Sequence, residues 1–73
     1  MTRAAFLAAY SSLLQAAYAW ATGDKLARFL ASCDASLTGP LATWNHDGDC
    51  VRDAWRAIGG KGRPTLKALR ALP

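Results

Sequence analysis

The sequence predicts an all-α fold, a compact bundle of about four short helices. Three observations carry this. Apolar residues recur three and four positions apart through four separate segments, the spacing that lines one face of a helix. Alanine, the best helix former, is abundant, whereas the six glycines and three prolines fall mostly between those segments. The 73 residues leave room for a single domain, 1–73. A chain this short buries only about 60% of its unfolded surface, so Trp20, Trp44 and Trp55 are valuable for the area each can bury.

The first segment has no charged side chain from Ala4 to Gly23, and Arg3 precedes it. A secretory signal would look similar, with Ala17-Tyr18-Ala19 as its cleavage site. Against that, Ser11, Ser12 and Gln15 interrupt the run, and alanine is only weakly apolar. At 100° per residue, Phe6, Leu7, Tyr10, Leu13, Leu14, Ala17, Trp20 and Ala21 share one stripe, with Ser11, Ser12, Gln15 and Thr22 opposite. This is a helix packed on a core. A membrane-surface helix would carry lysine or arginine on its polar face, and this face has none. No membrane partner and a cytoplasmic location are therefore expected.

Gly23 is placed to end the first helix and Asp24 to cap the second. Leu26, Phe29, Leu30, Cys33 and Leu37 give the second its apolar stripe, and Thr38-Gly39-Pro40 stops it. A connection runs through Leu41, Ala42, Thr43 and Trp44. Asn45-His46-Asp47-Gly48-Asp49 then reads as a turn and helix start. Val51, Ala54, Trp55 and Ile58 form the third stripe, ended by Gly59-Gly60. Pro64 suits the first position of a fourth helix with Leu66, Leu69 and Leu72 inward.

Charge is divided unevenly along the chain. Residues 1–50 carry three cations, Arg3, Lys25 and Arg28, against Asp24, Asp34, Asp47 and Asp49, a net −1. Residues 51–73 carry Arg52, Arg56, Lys61, Arg63, Lys67 and Arg70 against Asp53 alone, a net +5. Such asymmetry points to an anionic partner for the C-terminal part. The third and fourth helices would form a helix–turn–helix-like pair, with Arg63, Lys67 and Arg70 clustered on the face opposite the leucines. In a DNA-binding unit the second helix enters the major groove while other cations meet phosphates. The connecting turn is longer than usual, and the basic face lacks Asn, Gln or Ser for base readout. The same residues also fit an ordinary αα-hairpin with a solvated basic side.

No arrangement argues for an enzyme. The Gly59–Thr65 turn could cradle a phosphate, but it lacks the spacing and the preceding strand of a P-loop. Asn45-x-Asp47-x-Asp49 opens like a calcium loop, yet Cys50 holds the glycine position and the chain has no glutamate. Cys33, Cys50 and His46 lack zinc-site spacing, and nothing orients His46 as a base for a cysteine nucleophile. No metal and no cofactor are expected. Both cysteines fall on apolar faces and read as small core residues; a disulfide between their helices stays open, because spacing does not decide it.

Thr43-Trp44-Asn45-His46-Asp47-Gly48, Ala54-Trp55-Arg56-Ala57-Ile58-Gly59 and Thr65-Leu66-Lys67-Ala68-Leu69 together resemble segments of short proteins encoded by phages and prophages of GC-rich bacteria. The resemblance covers the C-terminal half. It implies a small accessory protein of a mobile element that binds DNA, or that binds and inhibits a host protein. Two functional expectations follow. The first is a non-enzymatic nucleic-acid-binding protein working through Arg52, Arg56, Lys61, Arg63, Lys67 and Arg70. The second is a phage-type protein-interaction module that inhibits a host protein or defence complex, anchored by Tyr10, Tyr18, Trp20 and Trp44. A homodimer would serve either.

Overall fold

The computed structural model describes residues 1–39 and 48–73, and every regular element among them is a helix. Helix α1 spans Arg3–Ala17. Thr2 caps it, its hydroxyl oxygen accepting from the Ala5 N–H at 3.0 Å. Phe6, Tyr10 and Leu14, spaced at i, i+4 and i+8, are buried along one face as the stripe requires.

The helix stops earlier than its charge-free run suggests. Tyr18 turns extended, and the chain reverses through bonds from the Ala21 N–H to the Tyr18 carbonyl and from the Thr22 N–H to the Trp20 carbonyl. Ala21 enters the core and Trp20 reaches Phe29 on the next helix. That next helix, α2, spans Gly23–Thr38. Gly23 therefore opens α2 rather than closing α1. Its φ of +55° lies in the left-handed region, where a residue with Cβ would be strained. Leu26, Cys33 and Leu37 are buried, with Phe29 and Leu30 partly so.

Helix α3 spans Gly48–Ala57 and buries Cys50, Val51 and Ala54. Its end is a Schellman-type stop. The Gly59 N–H donates to the Arg56 carbonyl at 3.0 Å, and the Gly60 N–H to the Trp55 carbonyl at 2.9 Å, with Gly59 at φ +104°. Helix α4 is short, Leu66–Arg70. Thr65 caps it, accepting from the Ala68 N–H at 3.1 Å, so Pro64 stands before the cap rather than inside the helix. Leu69 is buried, and Leu66 and Leu72 pack against the core from its margin.

The packing partners define the bundle. Helix α1 sits between α2 and α3, and α4 rests on α2. The C-terminal pair is thus α3 and α4 joined by residues 58–65, each held mainly by a different N-terminal helix. The Arg3 N–H donates to the Pro73 carbonyl at 2.7 Å. A radius of gyration of 11.3 Å agrees with the ~11 Å of a close-packed chain of this length. Both cysteines are buried and free. Among the described residues no helix is long and apolar enough to cross a membrane. Pro40, Trp44, His46 and the expected turn at Asn45–Asp47 lie outside the described residues.

Candidate anion-binding surface

The six C-terminal cations divide into two groups of three. Arg52, Arg63 and Arg70 act within the molecule. The Arg52 Nε donates to Asp53 at 3.0 Å, and its terminal nitrogen lies 3.6 Å from Asp49. The hydrogen bond to Asp53, aided by the charges of Asp53 and Asp49, holds the Arg52 guanidinium more firmly protonated than usual. Arg63 reaches back to the start of α3, donating to the Gly48 carbonyl and to the Asp49 carboxylate, each at 3.1 Å. Arg70 donates to the Gly39 carbonyl at the end of α2, at 2.6 Å. A cation there meets the negative end of the helix dipole and one of its last carbonyls.

Arg56, Lys61 and Lys67 form the other group. All three are exposed, and none of their side chains has a hydrogen-bond or ion-pair partner among the described residues. The expected cluster of Arg63, Lys67 and Arg70 on one helix face is not formed. Arg63 lies ahead of α4, turned towards α3, and Arg70 is turned towards α2.

Lys61 is positioned by its own turn. The Trp55 indole N–H donates to the Lys61 carbonyl at 3.3 Å, folding the chain over the ring. Gly60 lies against that ring so closely that a Cβ would overlap it. The glycines read in the sequence as a helix stop thus also serve to seat the basic turn on Trp55.

The expected aromatic anchors are also divided. Tyr10 is in the core at 0% exposure, instead of at the surface. Its ring is stacked on Phe6 at 5.9 Å between centroids and tilted against Phe29 at 6.0 Å. Phe29 in turn receives Trp20 edge-on at 5.1 Å, and Trp20 stacks with Tyr18 at 5.8 Å. A continuous aromatic chain therefore runs from the buried Phe6 out to Tyr18 and Trp20, which remain 36% and 38% exposed. Nothing in the helical periodicity signals this chain, because its outer members lie in the turn between α1 and α2. Trp44 lies outside the described residues.

An open groove of about 400 Å³ lies between the end of α1 and the start of α3, lined by Leu13, Ala16, Ala17, Tyr18, Asp49, Cys50 and Asp53. Both of its carboxylates are engaged by arginines, Asp49 by Arg52 and Arg63 and Asp53 by Arg52. Burial pushes the Cys33 thiol up to about 12, so it stays protonated and is a poor nucleophile. Among the described residues no three His, Cys, Asp or Glu side chains group as metal ligands.

Fold and surface together define a small helical protein whose C-terminal segment presents three exposed cations, Arg56, Lys61 and Lys67, without a side-chain partner among the described residues. Neither a family model, nor a curated protein, nor a solved structure matches the chain.

Proposed function

We propose that this protein is a non-enzymatic accessory protein that binds nucleic acid through its phosphate backbone, using Arg56, Lys61 and Lys67. The observation that supports this is the division of the cations. Three arginines are engaged within the molecule, Arg52 by carboxylates of its own helix and Arg63 and Arg70 by other elements, while these three side chains stay exposed without a partner among the described residues. Their charge is available to replace the counterions of a polyanion.

The short α4 favours phosphate contact over base reading. Five residues at 1.5 Å rise extend about 7.5 Å, too little to lie along a major groove and present several side chains to base edges. Binding of this kind is insensitive to sequence and sensitive to salt. The reading as an inhibitor that docks on a host protein keeps Tyr18 and Trp20 as anchors, supported by their exposure.

Fluorescence anisotropy with a labelled mixed-sequence duplex tests the proposal. Wild-type protein binds at low salt, and the double reversal Lys61→Glu with Lys67→Glu abolishes binding while leaving the helical circular-dichroism signal intact. Equal binding by the double variant would overturn the assignment of these residues. Absence of wild-type binding at low salt would overturn the nucleic-acid reading itself.

A further inference from the structure

We infer that the Tyr18–Trp20 corner is a nucleobase-stacking site, which makes single-stranded nucleic acid the preferred ligand. This rests on the nucleic-acid reading above and goes beyond it, because the backbone contacts described there do not distinguish one strand from two.

The corner is ordered before any ligand arrives. The Trp20 carbonyl accepts from the Thr22 N–H at 2.8 Å, which closes the turn. The indole is braced edge-on against Phe29 and lies alongside Tyr18 at an interplanar angle of 26°. Two aromatic rings are thus held in fixed orientation while more than a third of each residue stays open to solvent. A ring already fixed in place loses little entropy when a flat ligand stacks on it.

The charge on the α2 side of the corner favours a base attached to phosphate over an apolar protein segment, while on the Tyr18 side the carboxylates of Asp49 and Asp53 are already paired with Arg52 and Arg63. Lys25 stands one helical turn before Phe29 on α2, so the two share a face, and Arg28 adjoins it. Both cations are exposed, and their side chains have no partner among the described residues. Asp24 is the one acid in this stretch of α2 before Asp34, and it sits in the first turn, where the helix dipole favours it. Aromatic platforms flanked by lysine and arginine bind single strands, because every base has a face to stack and every nucleotide a phosphate to neutralise. In a duplex those faces are already covered by neighbouring base pairs.

Anisotropy with a labelled oligo(dT) 12-mer and a labelled 12-base-pair duplex tests the inference. Oligo(dT) binds more tightly than the duplex and quenches tryptophan fluorescence. Trp20→Ala weakens oligo(dT) about tenfold, removes the quenching and leaves duplex affinity unchanged. Trp20→Phe keeps a ring against Phe29 and restores most of the oligo(dT) affinity, which separates stacking from loss of fold. Equal affinity for the two probes together with a silent Trp20→Ala would overturn the inference, leave duplex binding standing, and assign the corner to a protein partner. Failure of wild-type protein to bind either probe would overturn the inference and the broader reading together.

Discussion

Arg70 donates to the carbonyl of Gly39 at 2.6 Å, joining the last helix to the end of α2 across 31 positions of chain. Together with Arg63 on Gly48 and Asp49, it shows that part of the basic C-terminal segment serves as cross-links between elements. Charge counting along the sequence therefore overstates what the surface offers a ligand.

Arg70→Ala should cost about 1 kcal/mol, lowering Tm by about 4–8 °C, because a charge-assisted bond to a helix-end carbonyl is lost. Lys67→Ala, in the same short helix, should leave Tm nearly unchanged. Thermal melts followed by circular dichroism make the comparison, and equal effects would contradict the assigned roles.

Gly60 offers a sharper structural test. A methyl group there would overlap the Trp55 indole. Displacing the ring would break its bond to the Lys61 carbonyl and disturb the Schellman-type end of α3. Gly60→Ala should therefore destabilise by about 1–3 kcal/mol, the usual cost of forcing extra volume into a packed site. Urea titration gives the value, and a neutral result would mean that the turn shifts freely.

Several of these features were legible in the sequence and others were not, for physical reasons. The stripe Leu26, Phe29, Leu30, Cys33 and Leu37 reads directly as α2, since helical periodicity is local. Gly59-Gly60 reads as the end of α3 because its stop motif needs a left-handed residue there. The early end of α1 was not legible. Trp20 and Ala21 continue the helical stripe by spacing, yet the edge contact of Trp20 with Phe29 and the burial of Ala21 come with a turn. Pro64 and Thr65 both suit a helix start, and the hydroxyl bond to Ala68 places the cap at Thr65. Among the candidate site residues, the exposure of Arg56, Lys61 and Lys67 agrees with their polarity. The engagement of Arg63 and Arg70 does not show, because their partners lie 14 or more positions away and two of those partners are backbone carbonyls.

Cys33 gives a prediction in pH. Its thiol is pushed up to about 12 from the usual value near 9 by burial. The folded value lies above the unfolded one, so the contribution to stability is complete below pH 9 and is lost as pH rises from 9 towards 12. In the native protein at pH 8 Cys33 should fail to react with a chromogenic disulfide reagent, and it should react at once in urea. Protection can be assigned to Cys33 in a Cys50→Ala background; rapid reaction in the native state would show that the site opens readily.

The surface ion pair between Arg3 and Asp34, at 2.9 Å, should matter little. The side chains are 39% and 47% exposed, and such pairs contribute about 0–1 kcal/mol. Asp34→Asn should lower the urea midpoint slightly at low salt and not at all in high salt, where screening removes the pair.

On the proposed reading, three exposed cations, Arg56, Lys61 and Lys67, bind a phosphate backbone. The most direct test is the affinity of wild-type protein for a mixed-sequence duplex across a salt series. If those three side chains neutralise three phosphates, log K falls with log salt at a slope of about −3, and affinity is independent of base sequence. A complex whose affinity does not change with salt, or no complex at low salt, would contradict phosphate binding by these side chains.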